Sequence, residues 1–478
     1  MTLLQAWIPL LPTLVLTAGA LALILAEAFR RPGPTRGMVW GALGIALVGL
    51  GVVGGLLALL PGEGPGEGFS GMVRWDRPAG GLSLVLLIGT ALAVLLSRRY
   101  LVDQGLDRGE YYVFLLLAAA GMTLMAVAQD LLVVFLALEG LSIPLYVLAG
   151  FARPRAASEE AALKYFLLGA FASAFLVFGI ALIFAGSGTT QLSALAGRLR
   201  ALEAGGRLLV GMGSALVLVA LGFKVAAVPF HLWTPDVYEG APTPVTAFMA
   251  AATKTAGMAA LIRVFLIGLG PAAEVWHGPV AAMAAATMVV GNVVALLQPN
   301  FKRMMAYSSI AHAGYLLLGL LGAPGLALPG VLFYLLAYTF ATMGAFAVAV
   351  GMAGSEGEDP SLEAYAGVAR RAPGMGTAML LFMLSLIGVP PTAGFFAKLL
   401  LFAAAWQGGW AGLVILGGIT TVLSAYFYLR VVVAMWMGRA ERERTPVRDP
   451  WLRLSVVLSG LATLVLGILW VMMGGLSV

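Results

Sequence analysis

The stretch that decides the fold runs from Gly222 to Phe248, GFKVAAVPFHLWTPDVYEGAPTPVTAF. It begins as the end of an apolar helix that carries one lysine, Lys224, and prolines follow at short intervals. Proline removes a backbone donor and clashes with the preceding turn, so we expect a helix that breaks and does not resume until about Thr246. Inside a membrane, the freed backbone must face protein or water. A charge beside such a break therefore indicates an ion path. The prolines are Pro229, Pro235, Pro242 and Pro244.

The use of lysine and arginine supports this interpretation. Of the 28 basic residues only five are lysines, and four of these fall within the membrane spans predicted below, whereas nearly every loop cation is arginine. Arginine does not release its proton in a protein, but a desolvated lysine readily shifts its pKa towards neutrality. Lysine is therefore expected where a proton has to come off. The five are Lys164, Lys224, Lys254, Lys302 and Lys398.

The composition is that of a polytopic membrane protein. The chain has 478 residues, of which 61% are hydrophobic and 10% charged, and apolar runs long enough to cross a ~30 Å hydrocarbon core recur along it. The formal charge of +6 would suggest nucleic acid in a soluble protein. Here the arginines occupy short loops between spans, so the charge is better explained by a positive-inside topology.

The chain contains no cysteine and only three histidines, His231, His277 and His312. Disulfides, thiolate metal sites and iron–sulfur clusters are therefore excluded, and a paired-histidine haem site has little support. Redox chemistry linked to this chain must lie on another polypeptide, and we expect no cofactor or metal here. The first 31 residues lack the charged start of a secretion signal, and we interpret them as the first span.

Hydropathy and helix breakers predict an all-α polytopic fold of about 14 transmembrane helices. Alternate loops hold sixteen basic residues on one side and five on the other, which predicts a cell (inner or plasma) membrane protein with both termini outside. The predicted spans are 3–29, 37–60, 79–97, 110–128, 131–151, 159–185, 207–230, 244–268, 275–297, 304–322, 326–353, 376–407, 408–438 and 451–475.

Three connecting regions lie outside these spans. Residues 61–78 are rich in Gly and Pro and predict a turn or short hairpin. Residues 187–206 carry leucines at helical spacing and predict a short amphipathic helix on the outer surface. Residues 354–375 are polar and predict a cytoplasmic connector. The spaced leucines are Leu192, Leu195, Leu199 and Leu202.

A second break, Gly388-Val-Pro390-Pro391-Thr-Ala-Gly394, interrupts span 12, five spans after the break in span 7. Five is an odd number, so two units of that length would be inverted relative to each other, as in many transporters. We therefore expect two inverted five-helix repeats, 110–268 (spans 4–8) and 275–438 (spans 9–13), with discontinuous helices 7 and 12. Residues 1–109 would form flanking spans 1–3, and residues 451–478 the last span.

Several charged residues fall at membrane depth. Glu139, near the middle of span 5, must be protonated or paired, and Lys224 is its expected partner. Lys254, midway along span 8, is expected on a buried polar path. Lys398 either lies on that path or caps a half-helix beyond the break in span 12. Lys164 is close enough to a span end to snorkel instead.

Other polar residues admit plainer roles. His312 lies in a helix rich in hydroxyls and would order a proton path, although helix–helix hydrogen bonding also explains it. Lys302 is expected to be a loop charge that sets topology, and Arg263 is expected to face an interface or headgroups. The residues in or beside the break in span 7, which would feed an entrance or stabilise the loop, are His231, Asp236 and Glu239.

These residues together resemble the antiporter-like membrane subunits of respiratory complex I, and within them the subunit N group. The stretch Lys224–Phe248 carries the main match. Four further runs also match, two before it and two after it, and together they cover spans 5 to 12 in the family's order. The runs are LEGLSIPLYVL at Glu139, EEAALKYFLLGAFASAFLVFG at Lys164, FKRMMAYSSIAHAGYLLLG at His312 and LSLIGVPPTAGFFAKLLLF at Lys398.

The resemblance implies a subunit of a proton-translocating NADH-quinone oxidoreductase, in which NAD, FMN, iron–sulfur clusters and quinone belong to partner subunits. It makes Glu139 and Lys224 the family's paired glutamate and lysine, Lys254 the central lysine and Lys398 the lysine near the exit. Lys164 matches a further lysine of the subunit N group. The expected partners are the other membrane-arm subunits and lipid, with no nucleic acid.

Three functions stay open at this point. In the first, protons enter near the broken seventh span, pass Lys224, Lys254 and His312, and leave past Lys398. The second is a subunit of a multi-subunit Na⁺/H⁺ antiporter, or of a related ferredoxin- or F420-linked complex. The third, a scaffold that only holds other subunits, leaves the buried lysines unexplained.

Overall fold

A computed structural model describes residues 3–30, 33–60, 66–353, 358–439, 447 and 449–472, and almost all of these residues are helical. In chain order the α-helices are α1 (Leu3–Trp7), α2 (Leu11–Ala28), α3 (Arg36–Leu59), α4 (Arg77–Asp103), α5 (Glu110–Val127), α6 (Leu131–Ala149), α7 (Ala156–Ser187), α8 (Leu192–Arg198), α9 (Ala204–Val225), α10 (Trp233–Gly240), α11 (Thr243–Phe248), α12 (Lys254–Leu261), α13 (Ala273–Ala295), α14 (Phe301–Leu320), α15 (Pro324–Ala353), α16 (Val368–Arg371), α17 (Pro373–Ile387), α18 (Ala393–Gln407), α19 (Ala411–Met437) and α20 (Pro450–Met472).

Twelve helical segments of the described chain are long and apolar enough to cross a membrane, and they follow the predicted spans in order. Two predicted spans are not among these twelve segments. Span 10 is helix α14, which carries His312 and several hydroxyls, and span 12 is divided into α17 and α18, each of 15 residues. The all-α polytopic fold is therefore confirmed. The exact number of membrane crossings, and the four-part division of the chain, remain predictions.

The centre of the bundle is formed by α4, by the segment Thr243–Gly268 and by α15, which are among the most buried of these segments. In the helices α2, α3, α19 and α20, fewer than a third of the residues in the most apolar stretch are buried. Small residues bring some helices unusually close, as is common in membrane bundles. A methyl group added at Gly213 of α9 would lie 2.6 Å from the carbonyl oxygen of Gly179 in α7.

The two breaks have the same construction. Helix α9 ends at Val225 and is followed by Ala226 in the left-handed conformation (φ 63°), and α17 ends at Ile387 and is followed by Gly388 (φ 89°). Each break also contains a cis proline bond, before Pro229 in the first and between Pro390 and Pro391 in the second. The left-handed turn satisfies carbonyls of the preceding helical turn, whereas the final carbonyls, of Val225 and Ile387, receive no backbone N–H within the described chain.

The expectation that helix resumes only at about Thr246 is wrong. Helix α10 begins at Trp233, and α11 begins at Thr243. The reason is that a helix tolerates proline in its first turn, where the missing N–H has no partner to lose. Pro235 and Pro244 both occupy first turns, so these two prolines start helices and do not prevent them.

The connecting regions largely follow the predictions. Strands β1 (Glu67–Gly68) and β2 (Val73–Arg74) form an antiparallel hairpin, and Glu67 pairs with Arg74. The amphipathic helix is α8, which continues as a 3₁₀ turn to Ala201 and buries its leucines. In the polar connector, residues 354–357 lie outside the described part of the chain. The rest contains a 3₁₀ turn, Leu362–Tyr365, and α16.

Candidate functional site

Lys224 lies in the last turn of α9, directly before the first break, and its side chain is buried. Its Nζ donates to the Ser142 hydroxyl at 2.8 Å and to the Tyr165 hydroxyl at 3.1 Å. Ser142 belongs to α6 and Tyr165 to α7, so two neighbouring helices hold the ammonium group that α9 carries. Both partners are neutral, and Lys224 can therefore lose its proton without leaving a buried carboxylate unpaired.

The predicted ion pair between Lys224 and Glu139 is not formed. Among the described residues no acid lies within 4.0 Å of the Lys224 nitrogen, and the Glu139 carboxylate instead accepts a hydrogen bond from Ser173 of α7. Glu139 lines an open hollow of about 610 Å³ between α6 and α7, on the side of the bundle. Ser142 lies one turn after Glu139 on the same side of α6, and its hydroxyl takes the place beside Lys224 that Glu139 was expected to occupy.

Lys254 lies at the start of α12, and a π-helical segment, Met249–Thr253, immediately precedes it. Its Nζ donates to the carbonyl oxygen of Val225 at 3.1 Å. Val225 is the last residue of α9, so Lys254 caps the helix end beside Lys224. The negative end of a helix dipole stabilises such a cation and takes the place of a carboxylate. π-Helical turns are frequent at functional sites, and one here aims Lys254 at the break.

Lys398 repeats this arrangement at the second break. Its Nζ donates to the carbonyl oxygen of Ile387, the last residue of α17, at 2.9 Å. It also lies 4.9 Å from the centre of the Tyr315 ring and 3.4 Å from the Thr421 hydroxyl. The helix-capping geometry considered from sequence is therefore present, and it is compatible with a path because the carbonyl partner carries no formal charge.

His312 lies between two tyrosine hydroxyls. Its Nδ1 is 2.6 Å from the Tyr334 hydroxyl, and its Nε2 is 3.0 Å from the Tyr428 hydroxyl. A neutral imidazole donates through one nitrogen and accepts through the other, whereas the charged ring donates through both. Hydroxyls can serve either state, so the ring keeps its orientation when it gains a proton. A small cavity lined by His312, Tyr334 and Lys398 joins the histidine to the second break.

The residues around α10 form an ion network at the other end of the first break. Lys164 pairs with Asp236 at 2.6 Å, and Arg303 pairs with Asp236 and with Glu239, both at 2.8 Å. Asn300 donates to Glu239 at 2.8 Å. Lys164 is partly exposed, unlike the buried lysines Lys224, Lys254 and Lys398. It joins α7 to the half-helix α10 instead.

Lys302 and Arg263 differ from their predictions. Lys302 does not lie in a loop but in the first turn of α14, where it is 4% exposed and pairs with Glu358 at 3.2 Å. Arg263 is wholly buried and does not face an interface or headgroups. Its guanidinium group binds both oxygens of Asp76, at 2.6 and 2.7 Å, and the Ala126 carbonyl. Ala126 lies at the end of α5, where the last carbonyls have no partner within the helix, so Arg263 supplies the hydrogen-bond donor that this buried helix end needs.

Glu358 was not predicted by sequence reasoning, because it lies in a Gly-rich connector without any periodic pattern. Its burial disfavours the charged form, but the nearby Lys302 ammonium and hydrogen bonds from Thr243, Tyr100 and Lys302 outweigh this effect. The pKa of Glu358 is therefore lowered from its ordinary value. Tyr334 and Tyr428 were also missed, since buried tyrosines on apolar helices resemble ordinary core residues.

The structure thus brings Lys224, Lys254, Lys398 and His312 to the two breaks, and leaves Glu139 and Lys164 at the periphery. His231 lies half-buried in the first break, and its ring Nδ1 has no hydrogen-bond partner among the described residues. Within the described ranges, no three His, Asp or Glu residues come close enough to hold a metal ion. The arrangement can pass protons between neutral and charged amines, and nothing in the described part suggests another chemistry.

A bundle with two broken helices, each ending against a buried lysine, defines the class of antiporter-like membrane subunits. Within that class, the chain belongs to the family described as NADH:quinone oxidoreductase/Mrp antiporter, TM, whose model matches residues 128–424.

Individual relatives narrow this class. The chain is 44% identical to the NADH-quinone oxidoreductase subunit N of Chloroflexus aggregans, over 96% of this chain and 94% of that protein. It is 38% identical to a chain of respiratory complex I from Thermus thermophilus, with a TM-score of 0.82, covering 96% of this chain and 97% of that one. A chain of the Mrp complex from Dietzia sp. is 21% identical, with a TM-score of 0.79 over 99% of this chain and 96% of that chain, which shows a common fold alone.

Proposed function

We propose that the chain serves as subunit N of a NADH-quinone oxidoreductase and carries protons across the membrane through its buried lysines. The path would run from the break in span 7, at Lys224, through Lys254 and His312 to Lys398. In this proposal both termini lie outside and protons enter from the cytoplasm. NAD, FMN, iron–sulfur clusters and quinone would be held by partner subunits.

One observation carries this proposal. Lys254 and Lys398 are buried, and each is held by the open carbonyl of a broken helix and not by a carboxylate. Such a lysine alternates between charged and neutral forms at modest cost, whereas an ion-paired lysine would leave a bare buried acid on losing its proton. A displacement of the half-helix would change how tightly each lysine holds its proton, which links proton transfer to movement of the break.

The energy for this transport must come from elsewhere in the assembly. Each charge moved against 100 mV costs about 2.3 kcal/mol. The chain carries no cysteine for thiolate-bound clusters, so the work would arrive from the redox subunits through contacts with neighbouring membrane-arm subunits. Glu139 and the network at Asp236 lie on the surfaces where such contacts are expected. We assign Glu139 to coupling and Lys164 to the entrance, and not to the central transfer steps.

The test is Lys254→Arg in the assembled complex, reconstituted in proteoliposomes. Arginine keeps the charge and a donor for the Val225 carbonyl but does not release its proton. We expect the number of protons moved per NADH oxidised, or the turnover itself, to fall as far as in Lys254→Met. Lys164→Arg is the matched control, because the entrance role assigned to Lys164 needs only its charge, which pairs with Asp236 and which arginine keeps. This variant should behave like the wild type.

A normal proton-to-electron ratio and turnover in Lys254→Arg would overturn the proposal and leave helix capping as the sole role of this lysine. Lys398→Arg provides a second, independent test at the other break. The alternative of a Na⁺/H⁺ antiporter subunit predicts sodium-dependent proton exchange by membranes without any redox substrate. Ferredoxin or F420, in place of NADH, would drive turnover if the chain belonged to a complex linked to those donors.

A further inference from the structure

A cavity of about 260 Å³ lies between the start of α9, the start of α13 and the chain that follows α8. It is unrelated to the lysine path. The membrane-spanning segments Ala204–Val225 and Gly270–Ala295 both begin beside it. The cavity is therefore at the level where two spans enter the membrane, which is the level of lipid headgroups.

The rim of this cavity is charged. The side chains of Arg200 and Arg207 line it and are exposed, and neither forms an ion pair within the described ranges. Glu274 lines the same cavity. Two guanidinium groups and one carboxylate leave one net positive charge and offer donors for a phosphate and an acceptor for a hydroxyl. Guanidinium groups bind phosphate oxygens in a bidentate manner, so the pair is well suited to a phosphodiester.

The deeper wall of the cavity is apolar. Val210, Gly211 and Val275 line it, and the wall reaches Ser214, two turns and about 10 Å below Arg207 along α9. This depth extends past the headgroup level into the acyl region. On the same stretch of α9, Leu208 and Met212 are exposed, 64% and 52% respectively. These two side chains follow the lining residues Arg207 and Gly211 directly in the chain, so an exposed apolar surface adjoins the cavity on α9.

Trp276 adds the third element of an interfacial site. It closes the cavity, and its indole N–H donates to the Leu269 carbonyl at 3.1 Å, which holds the ring in place. Tryptophan is enriched at the membrane–water interface, where one part of the ring meets apolar chains and the other meets polar groups. A charged rim, an apolar floor and an interfacial tryptophan together match one glycerophospholipid.

We propose that this cavity binds an anionic glycerophospholipid with hydroxyls in its headgroup, of the phosphatidylglycerol type. Its phosphate lies between Arg200 and Arg207, a headgroup hydroxyl donates to Glu274, and one acyl chain runs past Gly211 and Val275. The single negative charge of such a lipid balances the net charge of the rim. A choline headgroup has no donor for Glu274 and brings no net charge, so phosphatidylcholine binds more weakly.

The experiment uses the purified complex in phosphatidylcholine nanodiscs, with a photoactivatable phosphatidylglycerol whose reactive group lies near the top of one acyl chain. Labelled peptides are identified by mass spectrometry as a function of lipid concentration. We expect labelling in residues 199–214 and 269–276. The double variant Arg200→Gln, Arg207→Gln should raise the concentration for half-labelling by about 30-fold, about fivefold for each arginine near the surface.

The matched control, Arg370→Gln, Arg371→Gln, removes the same charge at α16, away from the cavity, and should leave half-labelling unchanged. Gly211→Leu keeps both arginines but fills the floor, since a side chain at this position extends towards Val275, and it should abolish labelling. Equal labelling by a phosphatidylcholine analogue, or unchanged labelling in the double variant, would overturn the proposal. So would protection of these peptides by a partner subunit in the complete complex.

Discussion

Replacing either member of the Arg263–Asp76 pair should destabilise the protein, and by unequal amounts. The guanidinium group is 0% exposed and the carboxylate is 21% exposed. Removal of one partner from a buried ion pair costs about 3–5 kcal/mol, because the other charge stays behind without compensation. Arg263→Met leaves a carboxylate that still reaches water and still accepts a hydrogen bond from the Ala79 N–H. We therefore expect this variant to lose about 3 kcal/mol of unfolding free energy.

Asp76→Asn should cost more, about 5 kcal/mol, because it leaves the fully buried guanidinium group with no counter-charge. Asparagine is as good a helix N-cap as aspartate, so the cap of α4 is retained and only the charge is lost. The double variant, Arg263→Met with Asp76→Asn, removes both charges. It should be less than about 2 kcal/mol from the wild type, since an apolar replacement of a buried ion pair is often close to neutral.

The measurement is heat denaturation of the purified complex, followed by protease susceptibility of this chain. The expected order of midpoints is wild type, double variant, Arg263→Met and then Asp76→Asn. A double variant whose loss equals the sum of the two single losses would refute the reasoning, because it would show no coupling between the charges. Equal losses in the two single variants would contradict the part of the argument that rests on burial.

Three further predictions concern other sites. Glu358→Gln should destabilise the complex by about 3 kcal/mol at pH 7, because it leaves Lys302 buried without its partner. Since the pKa of Glu358 is lowered in the folded protein, this extra stability of the wild type is present above the ordinary carboxylate pKa and is lost as pH falls through the lowered value. Thermal melts at several pH values should show this loss in the wild type and not in the variant. Tyr428→Phe, which removes one hydroxyl from His312, should lower proton pumping about 10-fold with assembly unchanged, and normal pumping in proteoliposomes would contradict this role. Gly213→Leu should prevent assembly, visible as loss of the complex on native gels, because its side chain would enter the backbone of α7.

Much of this protein followed from its sequence alone. Apolar runs of about 20 residues admit only membrane helices, because backbone polar groups in lipid must be satisfied within the segment. The two proline-containing breaks and the confinement of lysine to a few membrane positions were equally visible. The family was recognisable from the residues around Lys224, and the comparisons bear it out.

What the sequence could not supply was the direction of each side chain. Glu139 and Lys224 were expected to pair, but Lys224 binds the hydroxyl of Ser142, one turn further along α6, and Glu139 accepts a hydrogen bond from α7. Arg263 looked like an interfacial residue by its position near a span end, whereas packing encloses it against Asp76, 187 residues away. Pairings of this kind depend on which helices become neighbours.

The chemistry of the lysines was likewise decided by tertiary structure. Sequence places Lys254 midway along span 8 and Lys398 beyond the second break, but only the folded chain shows that each meets the last carbonyl of a broken helix. Hydropathy and breakers are local properties, and they determine where helices begin, end and cross the membrane. Contacts between helices depend on shape and burial over the whole bundle, and those contacts decide whether a buried charge meets an acid, a carbonyl or a hydroxyl.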